Sequence, residues 1–374
     1  MAGFYVVFTI GKSYKLHSEQ DMVRRLAMVS HLSLELAKAS EVLVRDMIKV
    51  KPDEDVLIYA DTESDRLVVE EAARAVSNVG AKLAVLWYRA PLGVGEAADQ
   101  YLPRSLSAAM ANCDIMIEFS NKYLLYSTPW RKAMETQRVR YICLSGMDTD
   151  MMVRCIGRVN VPVLVEFQEM LADLTMKARG MRVTTSAGTD VTFENDRDRP
   201  VFREGIVSDK PGEYMLIGQV DWAPIEDSLN GTIVFDGSIW PPEELGLIRT
   251  PVTLEVEKGK VIEVKGGWEA KLYEKWLKSF QDPAMLNLAH ISYGCNPGAK
   301  LTGQMVEDER VWGCVQWGLG YQAESFKGKA GPAKSHTDGT CLNPSVWIDN
   351  VQIEREGSYV NADLATLARK LGKS

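Results

Sequence analysis

His336-Thr337-Asp338 sets an imidazole and a carboxylate two residues apart. On a strand, residues i and i+2 point to the same face, so both side chains can reach one metal ion. The chain has four histidines, and two of them, His17 and His31, lie near the N-terminus. That leaves His290, within Ala289-His290-Ile291-Ser292-Tyr293-Gly294, as the other C-terminal imidazole. Two histidines and one aspartate make the facial triad of non-heme Fe(II) oxygenases. A three-residue motif also arises by chance, as ordinary polar residues at a strand end. Ser292 and Gln316 are polar groups able to orient a ligand or substrate from behind the triad; the alternative is satisfied polar residues at strand ends. Trp222, Trp317 and Tyr321 are an aromatic wall or plain core.

The elements that must position these residues change character near residue 180. Before it, helices alternate with short apolar strands. Leu32 to Met47 has a helical apolar period, and Arg66 to Val79 is a helix with an alanine face stopped by Gly80. Val56 to Ala60, Ala81 to Tyr88, Cys113 to Phe119 and Val139 to Leu144 read as buried parallel strands. This alternation predicts an α/β, Rossmann-like parallel sheet over 1–180. No GxGxxG or P-loop follows a strand, so the layout does not imply a nucleotide. Tyr123 to Ser127 falls just past the third strand, at the sheet edge where α/β folds take ligands; two loop aromatics covering the core are the other reading.

A helix is expected over Glu166 to Arg179, ending at Gly180. The pattern then turns to β. Met181 to Thr185 and Asp190 to Phe193 flank a Ser-Ala-Gly-Thr turn, and strands are expected at Gly231–Phe235, Val252–Val256 and Val261–Val264. A helix over Trp268 to Phe280 follows. The expected division is 1–180 and 181–374, the second unit β-rich and of α+β type, with the two packed closely because no low-complexity linker separates them.

Bulk properties exclude several classes. A net charge of -8 and a pI near 5.3 argue against nucleic acid or an anionic membrane as partner. No apolar run is long enough to span a bilayer. Six scattered cysteines, Cys113, Cys143, Cys155, Cys295, Cys314 and Cys341, form no zinc-type spacing and suit reduced thiols in a cytoplasm. The apolar start Gly3 to Ile10 is short and lacks a basic flank, so no signal peptide is read there and a cytoplasmic enzyme is expected.

Several stretches in the second half carry a family likeness. They are Glu257-Lys258-Gly259 through Gly266-Gly267-Trp268-Glu269-Ala270, Gln281-Asp282-Pro283 with His290, and His336 to Asp338. Their order resembles the aminopeptidase T family of metallopeptidases. More closely, it is similar to the relatives of that family that are 2,5-dihydroxypyridine 5,6-dioxygenases. The resemblance covers the second half and, more weakly, the first. It implies a metal-binding catalytic domain of the aminopeptidase T type and a homo-oligomer.

Departures from the peptidase pattern decide between the two. Where that pattern has metal-binding Glu, Glu and His, this chain resembles it with Gln219, His290 and Gln316. Neutral amides replace two ligands of a two-metal site, and His290, His336 and Asp338 remain as a single-metal set. The resemblance therefore implies Fe(II), O2 and a small aromatic or N-heterocyclic substrate. Ring opening would place both oxygen atoms in the product, N-formylmaleamate in the case of 2,5-dihydroxypyridine. An aminopeptidase T-like metallopeptidase is the alternative. There are departures from the dioxygenases as well. Tyr126 stands where they carry a histidine, Glu213 to Ile217 replaces a histidine-bearing segment, and Gly318 falls at about the place of a serine near the metal. Tyr126 is a candidate to donate to substrate or share in proton transfer, and this region decides the ring.

Overall fold

The structure is a computed structural model that describes residues 31–205, 207 and 210–373. The Gly3–Ile10 stretch and His17 lie outside the described residues.

Five parallel strands form the first layer, in the order Lys82–Tyr88, Asp55–Asp61, Ile115–Glu118, Arg140–Cys143 and Gly212–Tyr214. Their central members are buried on both faces, which is why they read as unbroken apolar runs. Helix Arg66–Val79 begins on Asp65, whose carboxylate accepts from the Leu67 amide at 2.9 Å, and stops at Gly80, where φ is 89°. The fifth strand, Gly212–Tyr214, comes from beyond residue 180, so the chain returns once to this sheet.

Two antiparallel sheets form the rest. One has eight strands, and the Gly180–Thr184 and Asp190–Glu194 hairpin lies near its centre. The other has seven, in the order Gly246–Leu247, Ser238–Trp240, His336–Leu342, Cys314–Gly320, Leu288–Gly294, Gln219–Trp222 and Val201–Arg203. The two sheets pack face to face. Phe193 of the first meets Trp317 of the second edge-on at 5.8 Å, and Phe235 lies against Gly339. Strand alternation therefore sends Ile291, Tyr293, Val315, Trp317 and Leu319 into this core. Trp222 joins them, so both tryptophans are core residues rather than a wall of the site.

One helix differs from its expected bounds. It runs Val161–Lys177 rather than from Glu166, because Asn160 caps it (its side-chain oxygen accepts from the Val163 amide at 3.4 Å) and Pro162 suits the first turn. Gly180 does not stop it. Gly180 opens the next strand, with its amide donating to Asp349 at 2.8 Å. All six cysteines are free and buried. Among the described residues, no helix is long and apolar enough to cross a membrane.

Candidate metal centre

The face of the seven-stranded sheet turned away from the sandwich core carries the polar residues. Antiparallel register sets His290 opposite Gly318, and Gly318 opposite Asp338, across three neighbouring strands. His336 precedes Asp338 by two on the same strand and faces the same way. Gly318 lies between the two ligand-bearing strands and has no side chain to obstruct them. A Cβ there would stand 2.4 Å from His290 Nε2.

Three ligand atoms converge over that gap. His290 Nε2 and His336 Nε2 are 3.1 Å apart. Asp338 Oδ1 is 3.3 Å from the first imidazole and Oδ2 is 3.2 Å from the second. They form the cluster of metal-capable groups found among the described residues. His336 Nδ1 lies 2.7 Å from the Tyr321 carbonyl oxygen and donates to it, which leaves Nε2 as a lone pair. The His290 ring is parallel to that of Phe326, with centroids 5.4 Å apart and planes 3° apart, and lies edge to edge with His336, centroids 5.0 Å apart and the two Nε2 atoms facing each other.

Lone pairs from two imidazoles and a carboxylate repel at such distances unless a proton or a cation lies among them. At roughly 2.1 Å from a divalent ion, cis ligands of an octahedron stand about 3.0 Å apart and those of a tetrahedron about 3.4 Å. The observed separations, 3.1 to 3.3 Å, fall in that interval. The donor set thus fits a divalent metal ion. Burial opposes ionisation of Asp338, but the two imidazoles outweigh it and hold the carboxyl well below the usual range. For His336 burial favours the neutral ring, yet Asp338 and the Tyr321 carbonyl raise its pKa on balance.

Ser292 and Gln316 are one row along the same face, directly opposite each other. Ser292 Oγ donates to Gln316 Oε1 at 2.8 Å, and Gln219 Nε2 donates to both Ser292 Oγ at 3.2 Å and Gln316 Oε1 at 3.3 Å. Two residues along a strand amount to about 7 Å, so this network backs the triad rather than joining it.

Tyr126 sits in the loop after the Ile115–Glu118 strand with φ at 67°. Its ring meets Trp130 at 5.3 Å and Tyr321 at 6.0 Å. It therefore touches the residue whose carbonyl holds His336 but is not itself one of the converging groups. The loop is anchored by Glu118, whose carboxylate accepts from the Leu124 amide at 2.6 Å and from the Tyr59 and Tyr141 hydroxyls. Burial pushes this carboxyl up to about 7 in spite of those bonds.

A cavity of about 370 Å³ reaches Trp240 and Glu309 and is lined also by Tyr123, Met215 and Arg310. Trp240 is the strand neighbour of Asp338, and its ring lies 5.6 Å from that of Tyr123. Burial and the nearby Asp338 carboxylate raise Glu309 to about 7, with Arg310 opposing. Gly318, Phe326, Trp240 and Glu309 were not singled out by type or spacing for these places. For Glu309 the run Glu307-Asp308-Glu309-Arg310 was a usable signal, since such a charged cluster flanked by apolar residues calls for buried pairing; for Phe326 there was none.

Comparison with known proteins places this geometry in a family. A model of the family described as 2,5-dihydroxypyridine 5,6-dioxygenase matches residues 40–361. A relative named 2,5-dihydroxypyridine 5,6-dioxygenase, from Pseudomonas putida, is 25% identical over 341 residues, spanning 85% of this chain and 94% of the relative. Among solved structures, 2,5-dihydroxypyridine dioxygenase from Pseudomonas putida KT2440 superposes with a TM-score of 0.71 at 22% identity, covering 89% of this chain and 99% of that one. Wild-type AmpT from Thermus thermophilus superposes with a TM-score of 0.61 at 13% identity, covering 87% and 99%. The last two show a shared fold, and the match over most of the sequence shows more: the chain belongs to the 2,5-dihydroxypyridine 5,6-dioxygenase family of oxidoreductases.

Proposed function

We propose that this chain is a mononuclear Fe(II) ring-cleaving dioxygenase, with His290, His336 and Asp338 as the metal ligands. Its substrate is 2,5-dihydroxypyridine or a related hydroxylated N-heterocycle, opened with both atoms of O2 to N-formylmaleamate in the first case. The observation that carries the reading is the convergence of two Nε2 atoms and one carboxylate within 3.3 Å on one sheet face. Family membership supports the reaction class.

Fe(II) bound there supplies the activation of O2 toward a stable ring, and three protein ligands leave coordination positions free for the reactants. The remaining work falls to the chain. The Tyr321 carbonyl fixes the His336 tautomer and ring orientation. Phe326, packed parallel to the His290 ring, and the bare backbone of Gly318 hold that ring with its Nε2 toward His336. Tyr123 and Trp240 offer aromatic faces to a flat ring entering beside Asp338. Gln316 and Ser292 stiffen the row behind the ligands. Tyr126 takes the position of a donor to the ring or a participant in proton transfer.

A two-metal peptidase needs anionic bridging ligands beside the triad. Gln219 and Gln316 are neutral and hydrogen-bonded to one another instead. The reading also places the chain in the cytoplasm, in keeping with six free thiols, as a homo-oligomer with units divided near residue 180. Light scattering on the purified protein measures the assembly.

The test is anaerobic loading with Fe(II), then an O2-electrode screen of dihydroxypyridines and catechols. Turnover with a dihydroxypyridine and one iron per chain is expected, and His336→Ala should lose both. An iron content and turnover untouched by His336→Ala would remove the triad assignment. Two bound zinc or cobalt ions with leucine-anilide hydrolysis would replace the reading with the peptidase.

A further inference from the structure

The cavity between the layers has two ends of different character. Its inner end is Trp240 and Glu309, and Trp240 is the strand neighbour of Asp338. Its outer end is Lys122 and Glu243, which form an ion pair. The lysine belongs to the loop after the Ile115–Glu118 strand of the parallel sheet. The glutamate belongs to the turn after Ser238–Trp240 of the seven-stranded sheet. The same two segments meet a second time, where the Tyr123 ring lies 5.6 Å from that of Trp240. An aromatic contact and, beside it, an ion pair thus join the two layers.

The backbone of both segments is fixed from behind. The Lys122 amide donates to Asp61 Oδ2 at 2.9 Å, and the Gly95 amide donates to the Tyr123 carbonyl at 2.9 Å. The Thr337 hydroxyl donates to the Pro241 carbonyl at 2.5 Å, which ties the second segment to the strand of His336 and Asp338. The ion pair itself is held less firmly. The Glu243 side chain is 57% exposed against 22% for Lys122, so one partner stands in water and the other in the wall. Such a half-solvated pair is weak, and its glutamate returns to water at little cost. Among the described residues the cavity has one other cation, Arg310, and Glu309 balances that charge inside the wall at 2.9 Å. Lys122 is therefore the charge that a guest can take over. Size points the same way. Pockets of about 300 Å³ and above take drug-sized ligands, so one six-membered ring with two hydroxyls leaves part of the 370 Å³ unfilled. A ring set against Tyr123 has Lys122, the preceding residue, beside its edge.

Resting on the dioxygenase reading, we propose that the outer end of the cavity is a subsite for an anionic substituent on the ring, with Lys122 as its counter-ion in place of Glu243. The substrate class that fits is a dihydroxypyridine carboxylate, with a hydroxyl toward the three converging ligand atoms and the carboxylate toward Lys122. The carboxylate accepts from the Lys122 ammonium, Glu243 turns out to water, and no proton or covalent bond changes hands. A half-solvated ion pair is replaced by one inside the cavity, where the same charges attract more strongly. A neutral ring leaves Lys122 on Glu243.

The experiment uses Fe(II)-loaded full-length protein and compares 2,5-dihydroxypyridine with its 3- and 4-carboxylates and the matching carboxamides. Wild type, Lys122→Met and Glu243→Gln are each measured for the anaerobic Kd of every ring, and for KM and kcat with O2. One of the two carboxylates should bind wild type about 10- to 100-fold tighter than its carboxamide, the range of a charge-assisted hydrogen bond. Lys122→Met should remove that preference. Glu243→Gln should enlarge it, because the lysine then has no rival carboxylate. A purely structural ion pair predicts the same sign for both variants, with equal losses for carboxylate and carboxamide. Should Lys122→Met fail to fold, the wild-type comparison and Glu243→Gln decide alone. A wild type that turns over dihydroxypyridine and prefers neither carboxylate to its carboxamide overturns the subsite and leaves the dioxygenase reading standing. So does a preference that survives Lys122→Met, or one that falls in both variants together. A wild type that binds none of these rings and takes up O2 with none overturns both.

Discussion

Gly318→Ala should disable the metal centre while leaving the sandwich folded. The new Cβ would lie 2.4 Å from His290 Nε2, 2.5 Å from Cδ2 and 2.9 Å from Cε1. An ordinary carbon contact begins at about 3.5 Å, so the imidazole must retreat by about 1 Å. Phe326, packed parallel to the ring, limits how far it can move off Gly318. Any such displacement moves Nε2 relative to partners now at 3.1 and 3.3 Å. Metal–ligand distances tolerate about 0.2 Å, and a 1 Å misplacement costs about 10²-fold in function. Affinity for Fe(II) or Zn(II) should therefore fall by about 100-fold or more, whereas overpacking costs the metal-free fold only about 1–3 kcal/mol. Anaerobic titration against a competing chelator measures the first quantity, and denaturant unfolding of the metal-free protein measures the second. Wild-type metal affinity in Gly318→Ala would refute the claim that a bare backbone at this position lets the two ligand-bearing strands meet.

Glu118→Gln cannot accept from the Leu124 amide and both tyrosine hydroxyls at once, so it should cost about 1–3 kcal/mol and lower turnover by loosening the loop that carries Tyr123 and Tyr126; thermal melting and kcat/KM report the two effects. Glu307→Ala leaves the Arg154 guanidinium without its buried carboxylate and the Lys300 amide without its acceptor, at a cost of about 3–5 kcal/mol, read as a lower denaturation midpoint. Stability of the metal-free protein should fall as pH rises from about 4.5 to 8. Burial raises Glu118 and Glu309 to about 7, so each favours the fold below its unfolded value and loses that contribution as pH climbs through the folded one. Asp338, held low by the two histidines, acts in the opposite sense and loses its contribution only in acid. Glu118→Gln should flatten the slope near pH 7, and an unchanged slope would remove Glu118 from the cause.

Local chemistry made parts of this legible in advance. Val56 to Ala60 has no polar residue because both of its faces are covered, and Gly80 ends its helix at a positive φ that other residues avoid. His336 and Asp338 announce a shared face through period two alone. His290 is different: what joins it to them is register across three strands separated by tens of residues, which no local pattern encodes. Gly318 was put near the metal only by the family resemblance, since its contribution is an absence of atoms that only the register makes useful. The Gly212–Tyr214 strand is three residues long, too short for any periodicity, yet it completes the parallel sheet. The Val161–Lys177 helix starts five residues before the expected Glu166, because the Asn160 cap and Pro162 set its first turn where the apolar period does not.

The proposed metal ligands and the groups proposed to face the ring belong to structures of different stiffness. His290, His336 and Asp338 project from central strands of a sheet packed on a second sheet, so their positions are set by backbone register and by the core beneath. Tyr123 and Tyr126 sit in a loop fixed through Glu118. On that reading, substitution in the loop would leave the three converging atoms of the sheet in place. The row behind the ligands strengthens the separation. Gln219, Ser292 and Gln316 satisfy one another, and Gln316 Nε2 donates onward to Cys314 Sγ at 3.7 Å. Neutral groups that close their own hydrogen bonds ask for no cation, so the sheet can hold one metal ion at its rim without drawing in a second.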